Sequence, residues 1–176
     1  SVVAGNLATS LAFLGKKVVI VGMDIRKPGL NKVFGFNIHA KGITNYLSAP
    51  DSTDLFDFVQ KSDVSPNLDI LPGGPVPPNP TELVARPVLE QAIAQLKERY
   101  DYVILDTAPI GMVTDTAIIG RVADMCVYVC RADYTPKAAY QYINVLKQNE
   151  TFPKLATVIN GIDMSLRKNS YGYGYG

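Results

Sequence analysis

Two aspartates stand where a parallel sheet would hold out a carboxylate. Asp24 lies three positions past the apolar run Lys17–Val21, in VVIVGMDIRKP, and Asp106 ends the run Tyr102–Leu105, in YDYVILDTAP. A hydrophobic strand that ends in Asp fixes its carboxylate at a sheet edge, where it can hold Mg²⁺ directly or through water. An aspartate in either place can also be simply solvated, or cap the segment that follows. Ser1 opens a helical pattern directly before the first strand; taken alone it needs no role beyond starting that segment. A third group lies far away in sequence: Tyr171, Tyr173 and Tyr175 alternate with Gly172, Gly174 and Gly176. Glycine at every second position gives a flexible segment with exposed phenols, from which no core can be built. The remaining reactive types read as ordinary. His39, the single histidine, sits in a loop and is expected to be solvated. No His/Cys/Asp cluster has the spacing of a zinc site. Cys126 and Cys130 alternate with valines in an apolar run, as buried thiols in a reducing compartment do.

The elements that must position these groups alternate between short β-branched runs and helical periods. Residues 2–14 read as a helix with Gly15 at its end, and residues 17–21 as a strand buried on both faces. A loop over residues 22–30 carries Asp24, Arg26 and Lys27. Residues 42–47 suggest a short helix, 55–59 a weak strand or turn, and 67–71 another strand. That strand runs into Pro72–Gly73–Gly74, followed by Pro75, Pro77, Pro78 and Pro80. Asn79 is placed as an N-cap, with Pro80 as the first helical residue. Residues 88–100 form a clear amphipathic period, 102–105 a strand, 114–121 a short helix and 125–129 a strand. A helix over 134–149 and a strand over 156–159 complete the pattern. Tyr102 and Tyr128, both in strands, are expected in the core; Tyr140 and Tyr142, two apart in one helix, cannot share a face. Strands separated by helices imply a parallel sheet with crossovers, and sites in such sheets lie beyond the carboxyl ends of the strands.

Composition narrows the class further. The 176 residues (19.1 kDa) are 47% hydrophobic and 19% charged, enough to bury a sizeable core and too apolar for wholesale disorder. Lys and Arg number 17 against 16 Asp and Glu, so the basic excess expected of a nucleic-acid binder is missing. No apolar run approaches the roughly 20 residues of a membrane span, and no signal-peptide pattern is seen. A G-x-x-x-x-G-K-[ST] phosphate loop does not occur in the sequence.

Taken together, SVVAGNLATSLAFLGKKVVIVGMDIRKP, PGGPVPPNPTELV and YDYVILDTAPIGMVTD resemble the cytoplasmic kinase domain of bacterial tyrosine kinases. This is the capsular and exopolysaccharide co-polymerase family, a branch of the deviant-Walker P-loop ATPases that also holds MinD and ParA. The DIRKP and PPNPTEL elements and the tyrosine-rich tail carry the kinase-branch resemblance, which covers almost the whole chain. It implies an α/β, three-layer P-loop-type fold with a mostly parallel sheet flanked by helices. The kinase domain would span 1–168 and lack its N-terminal strand and Walker A loop, with a flexible tail at 169–176.

Residue by residue, Ser1 matches the Walker A hydroxyl that coordinates Mg²⁺. Asp24 matches the second carboxylate of the Walker A′ D-x-D element, whose first position holds Gly22, so Asp24 would act alone. Asp106 matches the Walker B aspartate; with Ser1 and Asp24 it completes the expected metal and catalytic set. Asn160 is similar to an asparagine that reads adenine, and Arg131 to a residue near the nucleotide. Asn160 could equally cap a turn with Gly161, and Arg131 form a surface ion pair. The implied function is an ATP- and Mg²⁺-dependent protein-tyrosine autokinase that regulates exopolysaccharide or capsule export. Tyr171, Tyr173 and Tyr175 would be phosphorylated in trans within a homo-oligomeric ring. The resemblance places the domain at the inner face of the bacterial inner membrane, beside a transmembrane co-polymerase, fused or separate. The rivals are a MinD/ParA-like ATPase and a non-catalytic assembly module of a polysaccharide export complex.

Overall fold

The apolar run after Lys17 forms β1 (Val18–Gly22), buried along its whole length. Such a strand needs neighbours on both edges and cover on both faces. In the computed structural model, which describes residues 1–111 and 114–165, those neighbours are β3 (Leu68–Leu71) and β4 (Tyr102–Asp106). Both run parallel to β1. The two-residue β2 (Gln60–Lys61) pairs antiparallel with β3, giving the order β2-β3-β1-β4.

Helices cover this sheet on both faces. On one, α1 (Val2–Phe13) sets Ala8 and Ala12 against Val18 and Ile20 of β1 and Leu68 and Ile70 of β3. On the other, α5 (Val88–Arg99) buries Leu89, Ala92, Ile93 and Leu96, the 3.6-residue period visible in the sequence. Short helices α2 (Leu30–Phe34), α3 (Ile43–Ser48), α4 (Pro80–Ala85) and α6 (Thr114–Ile119) fill the connections. The result is the mostly parallel sheet flanked by helices that the sequence predicts. Two compact units make up the chain, Ser1–Ala123 and Asp124–Gly176. In the second, β5 (Cys126–Arg131) and β6 (Leu155–Asn160) pair in parallel from Cys126↔Leu155 to Arg131↔Asn160, connected through α7 (Lys137–Gln148). No helix among the described residues is long and apolar enough to cross a membrane.

Several local expectations are met and several corrected. Gly15 follows α1 with φ +81°, the left-handed conformation that ends a helix without Cβ strain. Of the two readings open for residues 55–59, strand or turn, the structure takes the turn: residues 55–58 are 3-10, started by Asp54 Oδ1 accepting the Phe56 N–H at 2.9 Å. Asn79 does sit at the N-cap before Pro80, yet its amide donates to Glu82 Oε2 at 3.0 Å instead of capping. Tyr102 is not a core residue. It heads β4 and is 42% exposed, since β1 is the only strand paired with β4 among those described. Tyr128 is half-buried, and its hydroxyl donates to the Ala139 carbonyl at 3.5 Å. Cys130 is fully buried and Cys126 partly so. The last helix starts at Lys137 rather than Tyr134, because Asp133 (φ 56°) and the bonds from the Tyr134 and Thr135 N–H groups to the Arg131 carbonyl make a turn there.

Candidate functional site

Parallel pairing of β1 with β4 brings the two aspartate-bearing strand ends side by side, with Gly22 opposite Asp106. The chain stays attached to β4 after β1 ends. The N–H groups of Met23 and Asp24 both donate to the Asp106 carbonyl, each at 2.8 Å. Met23 and Ile25 turn into the core, 1% exposed each, and so set Asp24 toward the opposite side. There it lines a cleft with Asp106, Gly22, Gly29, Phe36 and Gly73. Asp24 Oδ1 accepts the Lys27 N–H at 3.1 Å, which turns the loop back on itself.

Ser1 occupies the N-cap of α1 but does not cap it. Its hydroxyl instead donates to Asp106 Oδ2 at 2.6 Å, and its backbone nitrogen lies 3.2 Å from Oδ1. The Asp106 carboxylate is therefore held at the amino end of α1, the positive end of the helix dipole, while the residue itself is only 5% exposed. Ser1, Asp24 and Asp106 offer hard oxygen donors only, the donor chemistry Mg²⁺ takes. An ion that keeps several waters needs few protein ligands. That matters here, because no group of three or more His, Cys, Asp or Glu among the described residues could hold a metal.

Gly22 has a packing reason. A Cβ there would lie 2.8 Å from the Gly73 nitrogen, closer than a carbon can approach backbone. The opposing loop cannot easily retreat. The N–H of Ile43 bonds to the Pro72 carbonyl at 2.9 Å, and that of Thr44 to the Gly73 carbonyl at 3.0 Å. A single carboxylate in the loop after β1 is thus built into the fold.

The sequence pointed past one group in this region. Arg26 Nε donates to Asp115 Oδ2 at 2.6 Å, and its Nη2 reaches Asp115 Oδ1 at 3.2 Å and Thr81 Oγ1 at 2.9 Å. Thr81 Oγ1 in turn donates to Asp115 Oδ1 at 2.5 Å. Asp115 is 3% exposed, and the guanidinium beside it holds its carboxyl below the usual carboxylate range. The available signal was a lone charged residue in the short helix TDTAII. Its partners lie 89 and 34 residues away, so spacing could not reveal them.

In the second unit Arg131 and Asn160 are register partners at the carboxyl ends of β5 and β6. The Arg131 guanidinium stands 5.5 Å from the centre of the Tyr134 ring. Tyr171, Tyr173 and Tyr175 lie outside the described residues.

Residues 1–152 match the family model described as an AAA domain. Tyrosine-protein kinase YwqD of Bacillus subtilis is 35% identical over 173 residues, covering 98% of this chain and 71% of that protein. This chain belongs to the bacterial tyrosine-kinase family. Tyrosine-protein kinase CpsD of Streptococcus agalactiae is 38% identical over 146 residues, 80% of this chain; the match spans 62% of CpsD. The solved kinase domain of Escherichia coli tyrosine kinase ETK superposes with a TM-score of 0.82 at 28% identity, covering 99% of this chain and 66% of that one. The P-loop-type architecture of this bacterial tyrosine-kinase domain accounts for what the sequence pattern anticipated: helices on both faces, and acidic residues at the carboxyl ends of neighbouring parallel strands.

Proposed function

We propose that this domain transfers the γ-phosphoryl group of ATP to tyrosine, acting on Tyr171, Tyr173 and Tyr175 of a neighbouring copy, in the control of capsule or exopolysaccharide export. The observation that carries this reading is the hydrogen bond between Ser1 and Asp106, with Asp24 held on the carbonyl of that same aspartate. Ser1 and Asp106 would hold Mg²⁺, which, when bound, neutralises charge on the phosphates. The phenolic oxygen forms the new P–O bond as the bond to the ADP oxygen breaks, and the phenolic proton passes to the Asp24 carboxylate. Transfer of this kind depends mostly on positioning and charge stabilisation, which one well-held carboxylate can serve.

A glycine-rich loop and its strand have a natural place in this arrangement. The outer edge of β4 has no partner among the described strands, and α1 starts beside its carboxyl end. A parallel strand on that edge would deliver a phosphate loop directly into Ser1. Asn160 is the residue we assign to the adenine, and Arg131 one we assign to the neighbourhood of the nucleotide. The phenols would reach a second copy within a ring, close to a membrane co-polymerase at the inner face of the inner membrane.

The test joins the domain to a glycine-rich loop, supplies ATP and Mg²⁺, and maps phosphotyrosine by mass spectrometry. Tail phosphorylation is expected, falling about 10²-fold or more in Asp24→Ala and in Asp106→Ala. Phosphotyrosine undiminished by both changes would refute the mechanism; ATP hydrolysis without any phosphotyrosine would favour the MinD-like alternative.

A further inference from the structure

The loop that carries Asp24 is fastened at two ends, and only one fastening is backbone. At its start, the Met23 and Asp24 N–H groups sit on the Asp106 carbonyl. Two residues beyond Asp24, Arg26 reaches across to α6 and α4. There its Nε and Nη2 grip both oxygens of Asp115, and Nη2 also meets Thr81 Oγ1. Asp115 is almost wholly buried and takes a third hydrogen bond from Thr81, so every oxygen in the cluster has a partner. A planar guanidinium held through two nitrogens on a buried carboxylate cannot swing as a single-point contact can. The three residues that meet here, Arg26, Thr81 and Asp115, are each drawn from a different part of the chain.

We propose that Asp115, together with Thr81, is a positioning residue for Asp24: by gripping Arg26 it fixes the loop so that the Asp24 carboxylate stays in the cleft beside Asp106. The proposal rests on the kinase reading for its consequence in turnover, but its physical content is the order of the loop. Asp115 touches neither nucleotide nor phenol. It acts on the reaction through Arg26, and the Asp24 Oδ1 to Lys27 N–H bond is the local contact that a loosened loop would lose first. Placement errors of about 1 Å at a reacting group can cost up to about 10²-fold in rate, so a remote clamp can matter greatly.

The experiment uses the kinase with its glycine-rich loop, comparing the native protein with Asp115→Asn and Thr81→Val. Two readouts are taken: amide hydrogen exchange across residues 23–27, and kcat and KM for ATP in tyrosine phosphorylation. We expect Asp115→Asn to speed exchange at the Asp24 and Lys27 amides severalfold while β1 is unchanged. The same variant should lower kcat about tenfold and move KM for ATP by less than about twofold. Thr81→Val is expected to give a smaller change of the same kind. In an Asp24→Asn background, Asp115→Asn should add no further loss of kcat, as expected of residues that act as a unit. Unchanged exchange at residues 23–27 overturns the proposal, as does a kcat loss that is additive with Asp24→Asn. If the native protein forms no phosphotyrosine, the kinase reading fails, and the exchange result still decides whether the clamp exists.

Discussion

Asp106 combines roles that are usually divided among several residues. Its carbonyl receives two N–H groups from the loop after β1, and its carboxylate receives the Ser1 hydroxyl. Backbone and side chain together thus tie Asp24, Ser1 and the end of β4 to one point. Asp115 is its counterpart at the far side of the loop, and it titrates with a predictable sign. The guanidinium of Arg26 lowers the Asp115 pKa in the folded protein relative to the unfolded chain, where it is about 3.9. The carboxylate form is therefore stabilising above the unfolded value, and that stabilisation is lost as pH falls through the lowered folded one. In urea titrations repeated from pH 5 to pH 2, the native protein should lose more stability than Asp115→Asn does. Parallel acid limbs for the two proteins would show that this ion pair plays no part.

At the scale of elements, the positions of Asp24 and Asp106 were legible because strand ends are local features. A run of β-branched residues stopping at Asp is written in consecutive letters, and parallel pairing follows from the helices between the runs. The amphipathic α5 and the end of α1 at Gly15 were readable for the same reason. What could not be read was tertiary. The exposure of Tyr102 depends on which edges of β4 are paired. The Arg26–Thr81–Asp115 cluster joins segments 55 and 89 residues apart. The tight meeting of β1 with the Pro72–Gly74 loop belongs to this second group, and it makes a test. In Gly22→Asp the restored carboxylate should not raise activity. Its Cβ would press on the Gly73 nitrogen, and the loop, tied to α3 by two backbone bonds, would have to move. Overpacking of this kind costs about 1–3 kcal/mol, to be measured by chemical denaturation; a variant as stable as the native protein would disprove the constraint.

For the whole molecule, the division into two units has a practical consequence at β5. The thiol of Cys130 is sealed at 0% exposure, while Cys126, on the same strand, remains partly accessible and is slowed by burial that pushes its pKa up. The pair makes a built-in clock for the second unit. A small alkylating reagent should modify Cys126 at a steady rate from the native state, whereas Cys130 must wait for β5 to come away from α7 and β6. Mass-spectrometric labelling of the two cysteines over time would then yield the frequency with which that unit opens, without any engineered probe. Equal labelling rates would mean that the unit breathes freely.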